Sequence, residues 1–178
     1  MSIYAKEINK YLTAIKHGDV TMFDPLFELF SNHVNGIARY YLTDKSYCED
    51  VTAEVFQKIF FYINSYDEGK DGYNWICRIA QHIAYNYNEK AAKGIQVTEI
   101  AAAKGIAEPD RHTDEKIDLF RAIDNLEPDS RELIYMHFFL GNSFKEIGDK
   151  LHMCKAGVKK RIDKIISTLK IFMEHGIR

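Results

Sequence analysis

Apolar residues recur along this chain every three or four positions, and no stretch keeps the alternation of a half-buried strand. Ile3, Ile8, Leu12 and Ile15 predict a first helix from Ile3 to Lys16, with Gly18 as its stop. Asp19 can cap a second helix, whose stripe runs through Phe23, Leu26, Phe27, Phe30, Val34, Ile37, Ala38 and Tyr41. Pro25 falls in its first turns, where a missing N–H does least harm. A third helix, about Ser46 to Ile63, turns Val51, Val55, Phe56, Ile59 and Phe60 inward and shows Glu49, Asp50, Glu54 and Lys58 on the opposite face. After the polar loop Asn64–Gly72, with its two glycines, a fourth helix runs from about Tyr73 to Lys90. Between Ala91 and Thr113 the periodicity weakens around Gly94, Gly105 and Pro109, which reads as an interdomain linker. Helices at about Asp114–Asn125 and Pro128–Leu140 follow. The expected fold is all-α, with two helical domains, 1–90 and 114–178, joined by a linker at 91–113.

The last part of the chain reads as a helix-turn-helix. Ser143 to Leu151 forms a short helix, His152–Met153–Cys154 a tight turn, and Lys155 to Lys170 a long second helix. Ser143 with Glu146 is a capping box. Ile147, Leu151, Met153, Val158 and Ile162 stand where the two helices must touch, and Gly148 stands at their crossing, where a small residue fits. The second helix carries Lys155, Lys159, Lys160, Arg161, Lys164 and Lys170 against one acid, Asp163. A basic helix presented by a short preceding helix is the geometry that enters the DNA major groove. Lys155, Lys159 and Lys160 can reach base edges or adjacent phosphates, and Lys164 and Lys170 suit phosphate or solvent. Arg161 alone has the fork for a bidentate pair with guanine. The competing reading is a solvated basic face on an ordinary helical hairpin; cap, turn length and small residue together favour DNA.

Composition narrows this picture. The hydrophobic fraction of 46% and charged fraction of 28% describe an ordered globular chain, and 178 residues suffice for one domain or two small ones. A net charge of −2 excludes a surface that binds nucleic acid everywhere. DNA contact must then be local, with a partner supplying much of the phosphate neutralisation. Cys48, Cys77 and Cys154 are odd in number and widely spaced, so no disulfide framework or structural zinc site is expected. No apolar run approaches the roughly 18–20 residues of a membrane span, and no signal peptide is evident, so a cytoplasmic location without membrane insertion is expected. Seven scattered histidines and the lack of a phosphate-binding loop speak against catalysis; neither an enzyme nor a cofactor is expected.

A second signal lies in the loop and the fourth helix. Tyr66, Tyr73, Trp75, Tyr85 and Tyr87 are mixed with Lys70, Asn74, Arg78, Gln81, His82, Asn86 and Lys90. Rings interleaved with polar donors suit single-stranded DNA, whose unstacked bases lie on aromatic faces and expose their hydrogen-bonding edges. Trp75, Ile76, Ile79, Ala80 and Ile83 are at helical spacing and read as core. That leaves the tyrosines and Asn74 as the better candidates for base contact.

Several runs in series resemble one family. Cys48-Glu-Asp-Val-Thr-Ala-Glu-Val-Phe-Gln-Lys-Ile59 resembles region 2.2 of the extracytoplasmic-function sigma factors of bacterial RNA polymerase, usually close to AEDLxQEVFxRx. Tyr66-Asp-Glu-Gly and Tyr73-Asn-Trp-Ile-Cys-Arg-Ile-Ala80 resemble their regions 2.3–2.4, FDPxxG…FRAWLxRIA. Leu126-Glu-Pro-Asp-Ser-Arg-Glu-Leu133 resembles the start of region 4, and Phe144-Lys-Glu-Ile-Gly148 with Val158-Lys-Lys-Arg161 its YxEIAxxLxxSxGTVKSR motif. The resemblance implies that the third helix, through Glu49, Asp50, Ala53, Glu54 and Lys58, docks on the β′ clamp helices of core polymerase. It implies that Tyr66, Lys70, Tyr73, Asn74, Arg78, Gln81 and Asn86 capture unpaired bases of the −10 element. Lys155, Lys159, Lys160, Arg161 and Lys164 would then read the −35 element as duplex, next to the β flap. Family members are often held inactive by an anti-sigma factor. The chain departs from the pattern at Ala53, in place of glutamine, at His152, in place of the turn glycine, and at Cys154, in place of the Ser/Thr cap. The arginine cluster after region 2.4 is thinned to Lys90 and Lys93.

Two other functions fit parts of the chain. One is a free-standing regulator with a LuxR-type DNA-binding half; it has no need of the Glu49–Phe56 and Trp75–Ala80 runs. The other is a polymerase-binding antagonist or degenerate sigma factor that no longer opens promoters.

Overall fold

A computed structural model of the chain describes residues 5–94 and 113–175, with side chains for 5–94 and 119–173. The architecture is all-α; among the described residues there is no strand. The chain divides into two compact units, Met1–Lys104 and Gly105–Arg178. Most of the predicted linker, residues 95–112, lies outside the described residues, as does Ile3 of the first helix.

The amino-terminal unit holds α1 (Ala5–Lys16), α2 (Phe23–Tyr41), α3 (Cys48–Tyr62) and α4 (Gly72–Ala92). Ile8, Leu12 and Ile15 bury the inner face of α1, as their spacing predicts. Asp19 caps not α2 itself but a 3₁₀ turn, Val20–Met22, that leads into it, accepting from the Thr21 amide at 3.2 Å. α2, α3 and α4 pack on one another and bury Phe30, Val34, Ile37, Val51, Val55, Phe56, Ile76 and Ala80. Asp71, in the loop, is the true cap of α4, its carboxylate accepting from the Tyr73 amide at 3.0 Å.

The carboxyl-terminal unit holds α5 (Thr113–Asp124), α6 (Pro128–Ile134), α7 (Phe144–Leu151) and α8 (Lys155–His175). The helix predicted over Pro128–Leu140 changes pitch partway: Tyr135–Phe139 is a π turn, closed by the Leu140 amide on the Tyr135 carbonyl at 2.9 Å. Pro128 stands at the start of α6, and the Arg131 guanidinium reaches back to the Asp124 and Leu126 carbonyls at 2.5 and 3.0 Å. Arg131 thereby satisfies carbonyls that the end of α5 would leave open. α8 packs on α5, α6 and α7 through Val158, Ile162, Ile165 and Leu169.

Candidate nucleic-acid interface

The helix-turn-helix is built from its cap outward. Ser143 accepts from the Glu146 amide at 3.3 Å and the Glu146 carboxylate accepts from the Ser143 amide at 2.7 Å, the reciprocal capping box expected from the sequence. The Ser143 hydrogen bonds hold the Glu146 carboxyl below its ordinary value. At the other end, His152 adopts the left-handed conformation (φ 54°, ψ 42°), and the Met153 amide bonds back to the Gly148 carbonyl at 2.9 Å. Gly148 is crowded, and the crowding comes from the turn: a Cβ there would run into the Met153 carbonyl. Ile147, Val158 and Ile162 are buried between the helices, with Leu151 and Met153 half-buried.

Lys155, Lys159, Lys160, Arg161 and Lys164 are all exposed. With Val158, Ile162, Ile165 and Leu169 inward, helical geometry puts Ala156, Lys160 and Lys164 directly opposite, on the outermost face. Lys159 flanks that face on one side and Arg161 on the other. The Arg161 guanidinium lies against the Met153 sulfur at 3.7 Å and lines a groove with Asp129, Glu132 and Leu133 of α6. It therefore turns towards α6 rather than standing on the outermost face. Cys154 replaces a hydroxyl as the cap of α8, its sulfur accepting from the Gly157 amide at 3.4 Å.

In the amino-terminal unit α4 carries a polar stripe in which Asn74, Arg78 and Tyr85 are exposed and Gln81 half-buried. Asn74, Arg78, Gln81 and Tyr85 share one face at helical spacing, and Lys70 stands exposed in the preceding loop. Asn74 is tied to the Asp71 carboxylate at 3.2 Å, Gln81 donates to the Tyr85 hydroxyl at 3.4 Å, and Asn86 pairs with His82 at 3.3 Å. Tyr85 is 51% exposed, and its ring meets Tyr41 at 5.3 Å, which in turn meets Tyr40 at 4.9 Å. Burial, then Tyr85 and Tyr40, push the Tyr41 hydroxyl up to about 12. The apolar stripe of α2 places Tyr41 with the core and gives Tyr40 no role; only the packing of α2 on α4 brings these rings together.

Three of the tyrosines expected to offer their rings to bases, Tyr66, Tyr73 and Tyr87, do not. Tyr66 is 1% exposed and Tyr73 4%. Burying an aromatic ring removes about 150–250 Å² from water at ~25 cal/mol per Å², against about 1–3 kcal/mol for an unmade hydroxyl bond. Here the hydroxyls find partners as well: Tyr66 donates to the Lys70 carbonyl at 3.2 Å, and Tyr73 pairs with His33 at 2.8 Å. Both rings belong to the core. Burial, followed by the neighbouring Cys77, drives the Tyr73 hydroxyl far above the phenol range, and burial lifts the Cys77 thiol to about 12. Tyr87 is buried too. Trp75, expected in the core, is instead half-buried against Tyr66, with ring centroids 5.3 Å apart.

On α3, Glu49, Asp50 and Ala53 are exposed, and Lys58 is half-buried over the Tyr62 ring at 5.5 Å. Glu54 departs from its predicted place on the solvent face. It is half-buried, with one carboxylate oxygen shut away from water and without a hydrogen-bond partner. Its carboxylate lies beside Tyr87, whose hydroxyl is raised by burial first and then by Glu54 and Asp50. Phe60, predicted inward, is half-exposed, and Phe61 is 73% exposed. The outer face of α3 thus passes from acidic at its start to aromatic at its end.

No protein-family model matches the chain, and no curated protein matches it. Among solved structures, the chain is similar to one in the structure of CnrH in complex with the cytosolic domain of CnrY. The two are 16% identical over 95% of this chain and 98% of that one, with a TM-score of 0.47. It is also similar to a chain of the RsbN–BldN complex, at 18% identity over 90% of this chain and 98% of that one, with a TM-score of 0.39.

Proposed function

We propose that the chain is a promoter-recognition subunit of bacterial RNA polymerase, of the extracytoplasmic-function sigma type. The observation that carries this reading is the pairing, in one chain, of a capped helix-turn-helix with a helical unit bearing a polar, aromatic-edged stripe on α4. The first suits duplex DNA and the second an unpaired strand. Lys159, Lys160 and Lys164 would meet the −35 duplex, with Lys155 at the start of α8. Arg161 would join them by swinging out of the groove beside α6 to a guanine edge. Asn74, Arg78, Gln81 and Tyr85, with Lys70 from the loop and Asn86 at the flank, would hold unpaired −10 bases, while Tyr66 and Tyr73 support that surface from beneath. Glu49, Asp50 and Ala53, continued by Phe60 and Phe61, would dock on core polymerase. An anti-sigma partner would act by covering one of these faces.

Purified chain mixed with core polymerase and a promoter library, followed by sequencing of the transcripts, tests the proposal. Discrete start sites sharing two spaced elements are expected. Core binding without initiation would favour a polymerase-binding antagonist, and duplex binding without core binding a free-standing regulator.

A further inference from the structure

The loop that precedes α4 is fastened at both ends to α1. At its start, the Lys16 ammonium donates to the Tyr66 carbonyl at 2.7 Å. At its end, the Gly72 amide donates to the Asn9 side chain at 2.8 Å. Between them, Glu68 lies 3.7 Å from Lys16 and 3.1 Å from His17. The loop is also ordered from within: Asp67 accepts from the Gly69 amide at 3.0 Å, and Tyr66 donates to the Lys70 carbonyl. The fit against α1 leaves no slack, since a Cβ on Gly72 would come within 2.6 Å of Leu12 and 2.8 Å of Asn9. These contacts join residues 50 to 63 positions apart, so they belong to the tertiary fold and not to local turn chemistry.

We infer that α1 is a positioning element for nucleobase capture, with Asn9 and Lys16 holding the loop so that Lys70, Asn74 and the first turn of α4 meet an unpaired base in one fixed geometry. This rests on the reading of α4 as a single-strand surface. A loop that had to order itself on binding would lose affinity to its own entropy, and prior fastening avoids that loss. Neither Asn9 nor Lys16 needs to touch DNA for this role.

The test uses the full chain assembled with core polymerase and fluorescent single-stranded oligonucleotides, together with amide hydrogen exchange on the full chain alone. Asn9→Ala and Lys16→Met should each speed exchange across residues 67–72 and weaken oligonucleotide binding on the order of tenfold. Binding of a duplex by the helix-turn-helix should not change. Asn9→Asp, which keeps an acceptor for the Gly72 amide, should restore both readouts, whereas a merely structural lesion would not separate the two variants this way. Unchanged exchange in Asn9→Ala overturns the brace. Faster exchange with unchanged oligonucleotide affinity overturns its positioning role. If the unmodified chain binds no single strand, the assignment of α4 falls and the positioning role falls with it; if it binds and the variants bind equally, the positioning role alone falls.

Discussion

Replacing His152 by glycine is expected to stabilise the carboxyl-terminal unit. Among the described residues other than glycine, His152 is the one with positive φ. An L-residue in that conformation carries about 1–2 kcal/mol of steric cost between Cβ and the following carbonyl. Glycine removes that cost but adds about 0.5–1 kcal/mol of lost chain entropy on folding. The imidazole is exposed, so little packing goes with it. The balance is a gain of about 0.5–1 kcal/mol, which in a unit of this size raises the midpoint by about 2–8 °C. The chain's one tryptophan, Trp75, lies in the amino-terminal unit and separates the signals. Thermal unfolding followed by far-ultraviolet circular dichroism sees both units, whereas tryptophan emission sees the first. The shift should occur in the transition that emission does not report. His152→Ala retains the Cβ and should gain nothing. Equal midpoints for wild type and the glycine variant, or an equal rise in both variants, would refute the reasoning.

Three further outcomes follow from the same geometry. Gly148→Ala forces a methyl group against the Met153 carbonyl and should cost about 1–3 kcal/mol, lowering the dichroism midpoint without moving the Trp75 transition. Changing Lys159 and Arg161 together to alanine should weaken binding to a −35 duplex and flatten the log–log salt dependence by about 0.9 for each phosphate no longer neutralised; an unchanged slope and affinity would assign DNA binding to other side chains. The amino-terminal unit should be sensitive to alkali. Tyr41 and Cys77 are raised to about 12 from ordinary values of 10.0 and 9.0, and Tyr66, Tyr73 and Tyr87 are raised as well. With folded values above unfolded ones, the unfolded chain loses these protons first, so stability is full below about pH 9 and falls as pH climbs towards 12. Urea midpoints read by Trp75 emission at pH 8 and pH 11 should differ accordingly, and equal midpoints would contradict the burial assigned to these groups.

The helices and the capping box of α7 were largely legible in the sequence because they rest on local rules. The period of Ile8, Leu12 and Ile15 chose the buried face of α1, and Ser143 with Glu146 marked the start of α7 through a bond spanning three residues. The candidate site was less legible. Tyrosine serves equally as core or platform, and the partner that kept Tyr73 inside, His33, stands forty positions away. Glu54 left the solvent face because Tyr87 of another helix met it there, which no single-helix pattern contains. The pattern turned Phe60 inward, yet Phe60, Phe61 and Tyr62 are 49%, 73% and 55% exposed, because apolar spacing along one helix does not tell where the layer packed against it ends. Fastening of the loop to α1 was invisible for the same reason: Asn9 and Lys16 look like ordinary polar positions until the fold brings Gly72 and Tyr66 to them.

The π turn at Tyr135–Phe139 fixes something beyond its own hydrogen bonds. Each residue of an α-helix turns the chain by about 100° and advances it about 1.5 Å, and a π turn takes up one residue without that rotation. Deleting one residue from this segment would let α6 run on as a plain helix and swing the α7–α8 pair to a different azimuth about the α6 axis. Five residues that stand outside the basic face of α8 thus work as a phase adjuster, setting the bearing on which that helix points its lysines.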